Sequence, residues 1–262
     1  GRMIRAGLGD IAHRARLPKR LLDFIASDDF FVQNLKTAST TILVQKAKRT
    51  AFTHTTDGDE SSLSEFLLRR LRDVEINIGK VPAAIRISHI NKFRNSQSPA
   101  AAGEVIKSIV DEYYNRSILM VNLGTSQIRL GVNYWEELLG KVDIVQLNLH
   151  EAKELFLQEY PNPSLKQIVE WFRKREITVV ITLSKFGAVG SYKNGKDGLI
   201  FAWPIDTDNY VDSTGAGDAF SAGMVSELCK KPNFGFADFH SALNSAKFWA
   251  TYACTTLGGA GD

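Results

Sequence analysis

The sequence predicts an α/β fold built on a mostly parallel β-sheet. Between residues 84 and 183, short continuous apolar runs alternate with segments whose apolar residues recur at helical spacing. Strands of a parallel sheet have this continuous apolar character, because helices cover both faces of such a sheet. With 262 residues, of which 44% are hydrophobic, the chain can bury a sizeable core as one domain. We therefore expect helices on either side of a central sheet, in three layers.

The individual elements follow from the pattern in chain order. Residues 40–46 and 49–54 alternate as strands do around a short basic turn, which predicts a two-stranded ribbon. Strands are then expected at 84–88, 117–122, 142–147 and 177–183, with helices at 99–114, 133–139, 150–158 and 164–175. Beyond Gly187 the pattern predicts two hairpin strands, 189–193 and 199–203, around a turn at 194–198. Two further helices are expected at 219–228 and 242–254.

The charge balance and the cysteine content exclude several classes of protein. The chain carries 32 basic and 29 acidic residues, a formal net charge of +3, and no basic block with interleaved aromatic residues, so we expect no nucleic-acid partner. Its two cysteines, Cys229 and Cys254, form neither a disulfide framework nor a metal-binding pattern. No apolar run approaches the roughly 20 residues that span a bilayer, and the start lacks a secretion signal. We therefore expect a cytoplasmic protein with no membrane partner.

Residues 211–220 form a glycine-rich turn, Val-Asp-Ser-Thr-Gly-Ala-Gly-Asp-Ala-Phe, that runs into an apolar helix. The first N–H groups of a helix lack intrahelical partners and the helix dipole adds positive charge there, so this end attracts phosphate. Gly215 and Gly217 have no side chain to block an anion, and both tolerate the positive φ angles that let successive N–H groups converge. The turn therefore predicts an anion-binding site.

Asp218 lies at the junction of this turn and the helix. Its carboxylate would repel the phosphate that the turn collects, so a turn with only a structural role would be better served by serine or threonine. A residue that accepts a proton has to lie at this point, which favours phosphoryl transfer with Asp218 as the base. The alternative is that Asp218 caps the helix and that the two glycines are ordinary turn residues.

Polar residues also follow two of the predicted strands. Asn148 and Glu151 come directly after one strand, and Thr182 stands near the end of the next. Ligands of such sheets bind beyond the carboxyl ends of the strands, so these residues and the turn before Asp218 are expected to share one site. Amide and carboxylate oxygens in this position suit Mg²⁺. The alternative for Asn148 and Glu151 is a solvated helix start.

These stretches, in this order, resemble the ribokinase-like carbohydrate kinase family, also called the phosphofructokinase B family. The resemblance is carried by the turn at 211–220, the strand and turn at 177–188, the Asn-x-x-Glu at 148–151 and the small-residue helix and Gly-Ala end at 242–260. It implies a three-layer ribokinase-like fold over the whole chain, with the ribbon at about 38–56 as a small β lid that closes over the sugar. It also implies transfer of the γ-phosphate of ATP to a hydroxyl of a sugar, nucleoside or related small molecule.

The resemblance also implies roles for individual residues, beginning with Asp218 as the base. The anion hole would be formed by the N–H groups of Gly215, Ala216 and Gly217. Mg²⁺ beside the phosphates would be held, largely through water, by Asn148 and Glu151. The residues that line the nucleotide would be Thr182, Ser184, Gly187 and, on the adenine side, Asn244. Ser184 stands where the family usually has glycine. In some members a monovalent cation such as K⁺ lies beside the positions matched here by Asp212 and Thr214.

Two features of the family have no counterpart in this sequence. The family's opening strand with its substrate-binding Asp, and its Gly-Gly-x-x-x-Asn stretch, are not matched, and residues 7–10 with the helical pattern at 18–27 resemble a segment that normally comes later. A shortened protein, an absent head segment or a second chain would each explain this. The Asp-x-Asn-x-Arg triad is also unmatched at 120–129, where Asn122 and Gln127 either contact a ligand or bind water and backbone. The phosphate acceptor stays open.

Two other classes of function are compatible with these residues. A catalytically inactive nucleotide-binding or regulatory protein of the same fold is favoured by the unmatched head and disfavoured by the intact Asp218. A Rossmann dehydrogenase is more distant, because residues 7–10 are not Gly-x-Gly-x-x-Gly and follow no clear strand. The edges of the ribbon can pair with a second copy of the chain, so a homodimer is also compatible with the sequence.

Overall fold

The structure is a computed structural model that describes residues 39–45, 48–54, 68–69, 71–73, 75–76, 79–88, 99–193, 199–202, 209–231 and 233–255. Several features expected from the sequence lie outside these residues. They are the segment at 7–10 with its helix at 18–27, residues 46–47 at the junction of the expected ribbon strands, the hairpin turn at 194–198, the last residue of the strand at 199–203 and the Gly-Ala end at 258–260.

The described residues form two compact units. The first contains strands β1 (Ser39–Gln45) and β2 (Lys48–His54), which pair antiparallel with Ser39 opposite His54. Helix α1 (Pro99–Tyr113) belongs to this unit as far as Ile109. The strand pair occupies the place of the expected ribbon, and its function as a lid stays a prediction. The second unit contains residues 83–88 and the described residues from Val110 onward.

A six-stranded sheet forms the centre of the second unit, with its strands side by side in chain order from β3 to β8. The strands are β3 (Ala84–Ser88), β4 (Ile118–Asn122), β5 (Ile144–Asn148), β6 (Val179–Thr182), β7 (Ala188–Ser191) and β8 (Leu199–Ala202). Neighbours from β3 to β6 are parallel, and the last two strands join antiparallel. The prediction of an α/β fold with a mostly parallel sheet is confirmed.

Helices lie between the strands and after the last one. They are α2 (Thr125–Ile128), α3 (Val132–Lys141), α4 (Leu149–Leu155), α5 (Leu165–Lys174), α6 (Ala216–Leu228) and α7 (Phe236–Ala253). The last helix begins earlier than the expected residue 242, because the Gly235 N–H donates to the Asp238 carboxylate at 3.0 Å and caps it there. Within the described ranges, none of the helices has both the length and the apolar character that crossing a bilayer requires.

The core of the second unit lies on both faces of the sheet. On one face, α6 and α7 pack on the strands through a buried cluster that includes Met120, Ile144, Val180, Phe220, Met224 and Leu243. Strand residues of alternate position point to the other face. There α4 contacts β5 and β6, and α5 contacts β7, with Phe156 and Phe172 fully buried and in edge contact. The helices thus cover both faces of the sheet and leave the carboxyl ends of its strands for polar residues.

Candidate active site

The start of α6 is a tight turn centred on Gly215. This glycine adopts the left-handed conformation, with φ 79° and ψ −8°, and its carbonyl oxygen accepts the first helical bond from the Ala219 N–H at 2.8 Å. The Asp212 carboxylate accepts from the Thr214 N–H at 3.1 Å, and the Ser213 carbonyl accepts from the Ala216 N–H at 3.2 Å. The backbone before the helix is therefore folded back on itself, as a glycine in this conformation allows.

Gly217 and Gly215 contribute to the turn in different ways. Gly215 adopts the positive φ that glycine tolerates, whereas Gly217 lies inside the first helical turn and is not among the positive-φ glycines. A Cβ placed on Gly217 would meet no other group within 4 Å. Among the described residues, nothing accepts a hydrogen bond from the N–H of Gly217 or of Asp218. Two N–H donors without an acceptor at the start of a helix suit an anion.

The side chain of Asp218 lies at this open end and is 67% exposed. It forms an ion pair with Arg86, whose Nη2 is 2.8 Å from the Asp218 Oδ1 atom. Arg86 comes from β3, where it stands between the buried Ile85 and Ile87. Sequence reasoning missed Arg86, and the only available signal was a charged residue between two buried positions of a strand.

Gln146 of β5 ties the start of α6 to the sheet. Its side chain is buried, and its amide Nε2 donates to the Gly217 carbonyl at 3.4 Å. The hydroxyl of Ser221, one helical turn later, lies 2.7 Å from Gln146 Oε1 and 2.9 Å from the same carbonyl. Gln146 was also missed, although a single glutamine in an otherwise apolar strand was a signal. Because Asn148 follows two residues later, the start of α6 is held beside the carboxyl end of β5.

Asn148 and Glu151 form a capping box at the start of α4. The Glu151 N–H donates to Asn148 Oδ1 at 2.9 Å, and the Asn148 N–H donates to Glu151 Oε2 at 2.8 Å. Asn122, at the end of β4, donates through Nδ2 to the Gln146 carbonyl at 2.8 Å and to Glu151 Oε2 at 3.3 Å. Thr182 ends β6 directly opposite Asn148. Polar residues therefore end three neighbouring strands, and the shared ligand site of Asn148 and Thr182 stays a prediction.

The donor set of this cluster fits a Mg²⁺ ion that is bound mainly through water. Both carboxylate bonds of Glu151 use Oε2, and its Oε1 makes no hydrogen bond to any described residue. Across the described part of the chain, no three residues of the types His, Cys, Asp and Glu are grouped so that they could hold a metal. Mg²⁺ often takes only one or two protein carboxylates and completes its shell with water and substrate phosphate. One carboxylate beside an amide oxygen is compatible with that mode.

The turn after β6 has two residues with positive φ, and the first of them is a serine where glycine would be expected. Ser184 adopts the left-handed conformation at φ 56°, and Gly187 has φ 87° and ψ −133°. The Gly187 N–H donates to the Ser184 carbonyl at 3.0 Å, and the Leu183 N–H donates to the Gly187 carbonyl at 2.7 Å. The serine therefore adopts a conformation that glycine reaches without strain. The nucleotide-lining role of Thr182, Ser184 and Gly187 stays a prediction.

The remaining predicted residues occupy separate places in the second unit. Asn244 lies on α7 and donates through Nδ2 to the His240 carbonyl at 3.2 Å. The backbone N–H of Asp212 donates to the Cys254 carbonyl at 3.2 Å, which joins the loop before α6 to the end of α7. Gln127 is almost fully buried beside Trp135, whose indole N–H donates to its carbonyl at 2.8 Å, so it lies in the core. The predicted roles of Asn244, and of Asp212 and Thr214 at a cation, stay predictions.

Comparison with known proteins gives one consistent result. A profile described as pfkB family carbohydrate kinase matches residues 31–261. An ATP-dependent 6-phosphofructokinase from Thermoanaerobacterium thermosaccharolyticum is 29% identical over 151 residues, which are 55% of this chain and 44% of that protein. The chain spans less than half the length of the curated relatives that it matches.

Solved structures agree at the level of the fold. A ribokinase from Giardia lamblia superposes with a TM-score of 0.63 at 15% identity, covering 87% of this chain and 69% of that one. A fructokinase from Vibrio cholerae O395, in its fructose, ADP and calcium ion bound form, gives 0.60 at 16% identity, with 92% and 76% covered. At these identities the likeness shows the fold alone. Because the family profile covers most of the chain and the fold agrees with it, the chain belongs to the pfkB family of carbohydrate kinases.

Proposed function

We propose that this protein is an ATP-dependent kinase that transfers the γ-phosphate to a hydroxyl of a sugar or related small molecule. The observation that carries the proposal is the open end of α6. There the exposed carboxylate of Asp218 lies beside the N–H groups of Gly217 and of Asp218 itself, and no described residue accepts a hydrogen bond from either group. A base and a phosphate-binding backbone in one turn are the two groups that such a transfer needs.

In the proposed step, the Asp218 carboxylate accepts the proton of the acceptor hydroxyl as that oxygen forms a bond to the γ-phosphorus. The bond from this phosphorus to the β,γ-bridging oxygen breaks, and ADP leaves with its electron pair. The N–H groups of the Gly215–Gly217 turn stabilise the charge on the transferred group. The Ala216 N–H also donates to the Ser213 carbonyl, whereas no described residue accepts a hydrogen bond from the N–H of Gly215 or of Gly217. Gln146 keeps this turn at the end of β5.

The nucleotide would lie along the carboxyl ends of β5 and β6. Asn148 and Glu151 would hold Mg²⁺ through water, and the ion supplies charge neutralisation for the phosphates when it is bound. Thr182, Ser184 and Gly187 would line the nucleotide, with Asn244 on the adenine side. The register that places Thr182 opposite Asn148 supports this arrangement, since it brings the two strand ends to the same level. Asp212 and Thr214 would lie beside a monovalent cation such as K⁺.

The acceptor is tested by ATP consumption in a panel of hydroxyl compounds. Fructose and fructose 6-phosphate come first, because the relatives include a fructokinase and a 6-phosphofructokinase. Pentoses and nucleosides follow. Nucleotide binding without turnover for every acceptor would instead support the inactive, regulatory alternative.

Asp218→Asn tests the base. It should lower kcat by about 1,000-fold, because the proton acceptor is lost, while the ATP dissociation constant does not rise. Asp238→Asn is the matched control, since Asp238 stands in the first turn of α7. It should leave kcat unchanged. Substantial activity in the Asp218 variant would refute the assignment of the base.

A further inference from the structure

Arg86 is the one charged side chain of the sheet that is seen to contact the proposed base, within the residues that the structure describes. Its Nη2 donates to Asp218 Oδ1 at 2.8 Å, although the two residues are 132 positions apart in the chain. Arg86 is 27% exposed on its side chain, so the guanidinium lies at the edge of the core rather than free in solvent. Asp218 is largely exposed, so only the arginine of this pair is partly withdrawn from solvent.

The ion pair between Arg86 and Asp218 reduces electrostatic repulsion at the start of α6. The turn collects negative charge through its backbone, yet Asp218 adds a full negative charge at the same place. A terminal phosphate bound there would meet a like charge, which opposes binding. The positive charge of the Arg86 guanidinium offsets the Asp218 charge.

The contact with Arg86 also makes the two oxygens of the Asp218 carboxylate different. Arg86 takes Oδ1, and Asp218 Oδ2 makes no hydrogen bond to any described residue. The Arg86 Nε atom is buried and likewise has no acceptor among the described residues. The single bond to Oδ1 thus orients the carboxylate and leaves Oδ2 open toward solvent.

We propose that Arg86 is a positioning residue for Asp218. It holds the carboxylate through Oδ1, directs Oδ2 to the acceptor hydroxyl, and cancels the Asp218 charge so that the terminal phosphate of ATP can lie beside it. The inference rests on the proposed function, since it requires a nucleotide at the start of α6. It assigns a role to a residue of β3, which is separated by β4 from the strand that bears Asn148.

The test measures the binding of ATP and of ADP by calorimetry in the absence of acceptor, so that it does not depend on turnover. Arg86→Met should weaken ATP binding by about tenfold, the effect of one partly exposed charge, because Asp218 is then uncompensated. ADP lacks the terminal phosphate, so its binding should change by less than about twofold. The double variant Arg86→Met with Asp218→Asn should bind ATP within about threefold of wild type, because both charges are gone.

Two further variants separate charge from structure. Arg86→Lys keeps the charge and should restore most of the ATP affinity, while kcat stays below wild type because the flexible lysine ammonium holds Oδ1 less firmly than the planar guanidinium does. Arg116→Met, which removes an arginine at the opposite, amino edge of β4, is the matched control and should leave both dissociation constants unchanged.

The outcomes distinguish the two proposals. Wild-type protein that binds ATP, with an unchanged ratio of ATP to ADP affinity in Arg86→Met, would overturn the inference and leave the proposed function standing. Weak ATP binding that persists in the double variant would also overturn it, since charge compensation would then not be the cause. Wild-type protein that binds no ATP would overturn the proposed function and this inference together.

Discussion

Gly217→Ala is predicted to make the protein more stable and less active. Alanine is favoured over glycine inside a helix by about 0.5–1 kcal/mol, and the new methyl group meets no other atom within 4 Å. The midpoint of thermal unfolding should therefore rise by about 1–3 °C for a chain of this size. The gain falls toward the low end because Gly217 stands in the first helical turn.

The loss of activity has a different origin. The methyl group extends into space beside Gly217 that holds no described group within 4 Å, and we expect it to keep the proposed phosphate from the Gly217 N–H. A hydrogen bond to a charged group contributes about 1.5–3 kcal/mol. Its loss corresponds to a decrease in kcat/KM for ATP of about 10- to 100-fold.

The assay pairs thermal unfolding with initial rates of ATP consumption, or with ATP binding if the acceptor is unidentified. Gly140→Ala is the matched control, because Gly140 is an exposed helical glycine of α3 whose Cβ would also meet nothing within 4 Å. It should gain stability and keep its activity. A Gly217 variant that is more stable and fully active would refute the reasoning, since the open space would then not be where the phosphate binds.

Two other predictions concern stability. Ser184→Gly should raise the free energy of unfolding by up to about 1 kcal/mol, because the strain of a serine in the left-handed conformation, about 1–2 kcal/mol, exceeds the cost of the greater conformational entropy of glycine in the unfolded chain. Glu176 has the same φ of 56°, so Glu176→Gly should have the same effect when stability is measured by urea denaturation. A loss of stability in both variants would contradict this reasoning. Burial raises the pKa of Asp143 above its usual value, against the smaller opposing effects of the Leu119 N–H and Lys193. The folded state then binds more protons than the unfolded state between the two pKa values, so wild-type stability falls as pH rises through that window. Asparagine does not titrate, so the Asp143→Asn variant lacks this fall in stability. The stability of the variant relative to wild type should therefore increase from about pH 4 toward neutrality, and a difference independent of pH would contradict the prediction.

Much of the candidate site could be predicted because its signals are local. The glycine turn, Asp218 and the Asn148–Glu151 pair each lie within a few residues, where helix termini and strand ends impose their own chemistry. The same local pattern also explains the limit of the prediction. Asn-x-x-Glu predicts a capping box as readily as a metal site, and the structure shows that the capping bonds use only one oxygen of Glu151. Glycine tolerates positive φ at both positions of the turn, and only the structure shows that Gly215 adopts it while Gly217 does not.

The amino-acid sequence by itself determined the α/β class, the order of strands and helices, and the residues of the turn before α6, because hydrophobic periodicity and glycine conformation act over short distances. Only the tertiary structure decided what touches Asp218. The contact from Arg86 crosses 132 positions, and the contact between Gln146 and Ser221 crosses 75. Such pairs depend on which strands are neighbours and on their register, and these are set by packing of the whole sheet against its helices.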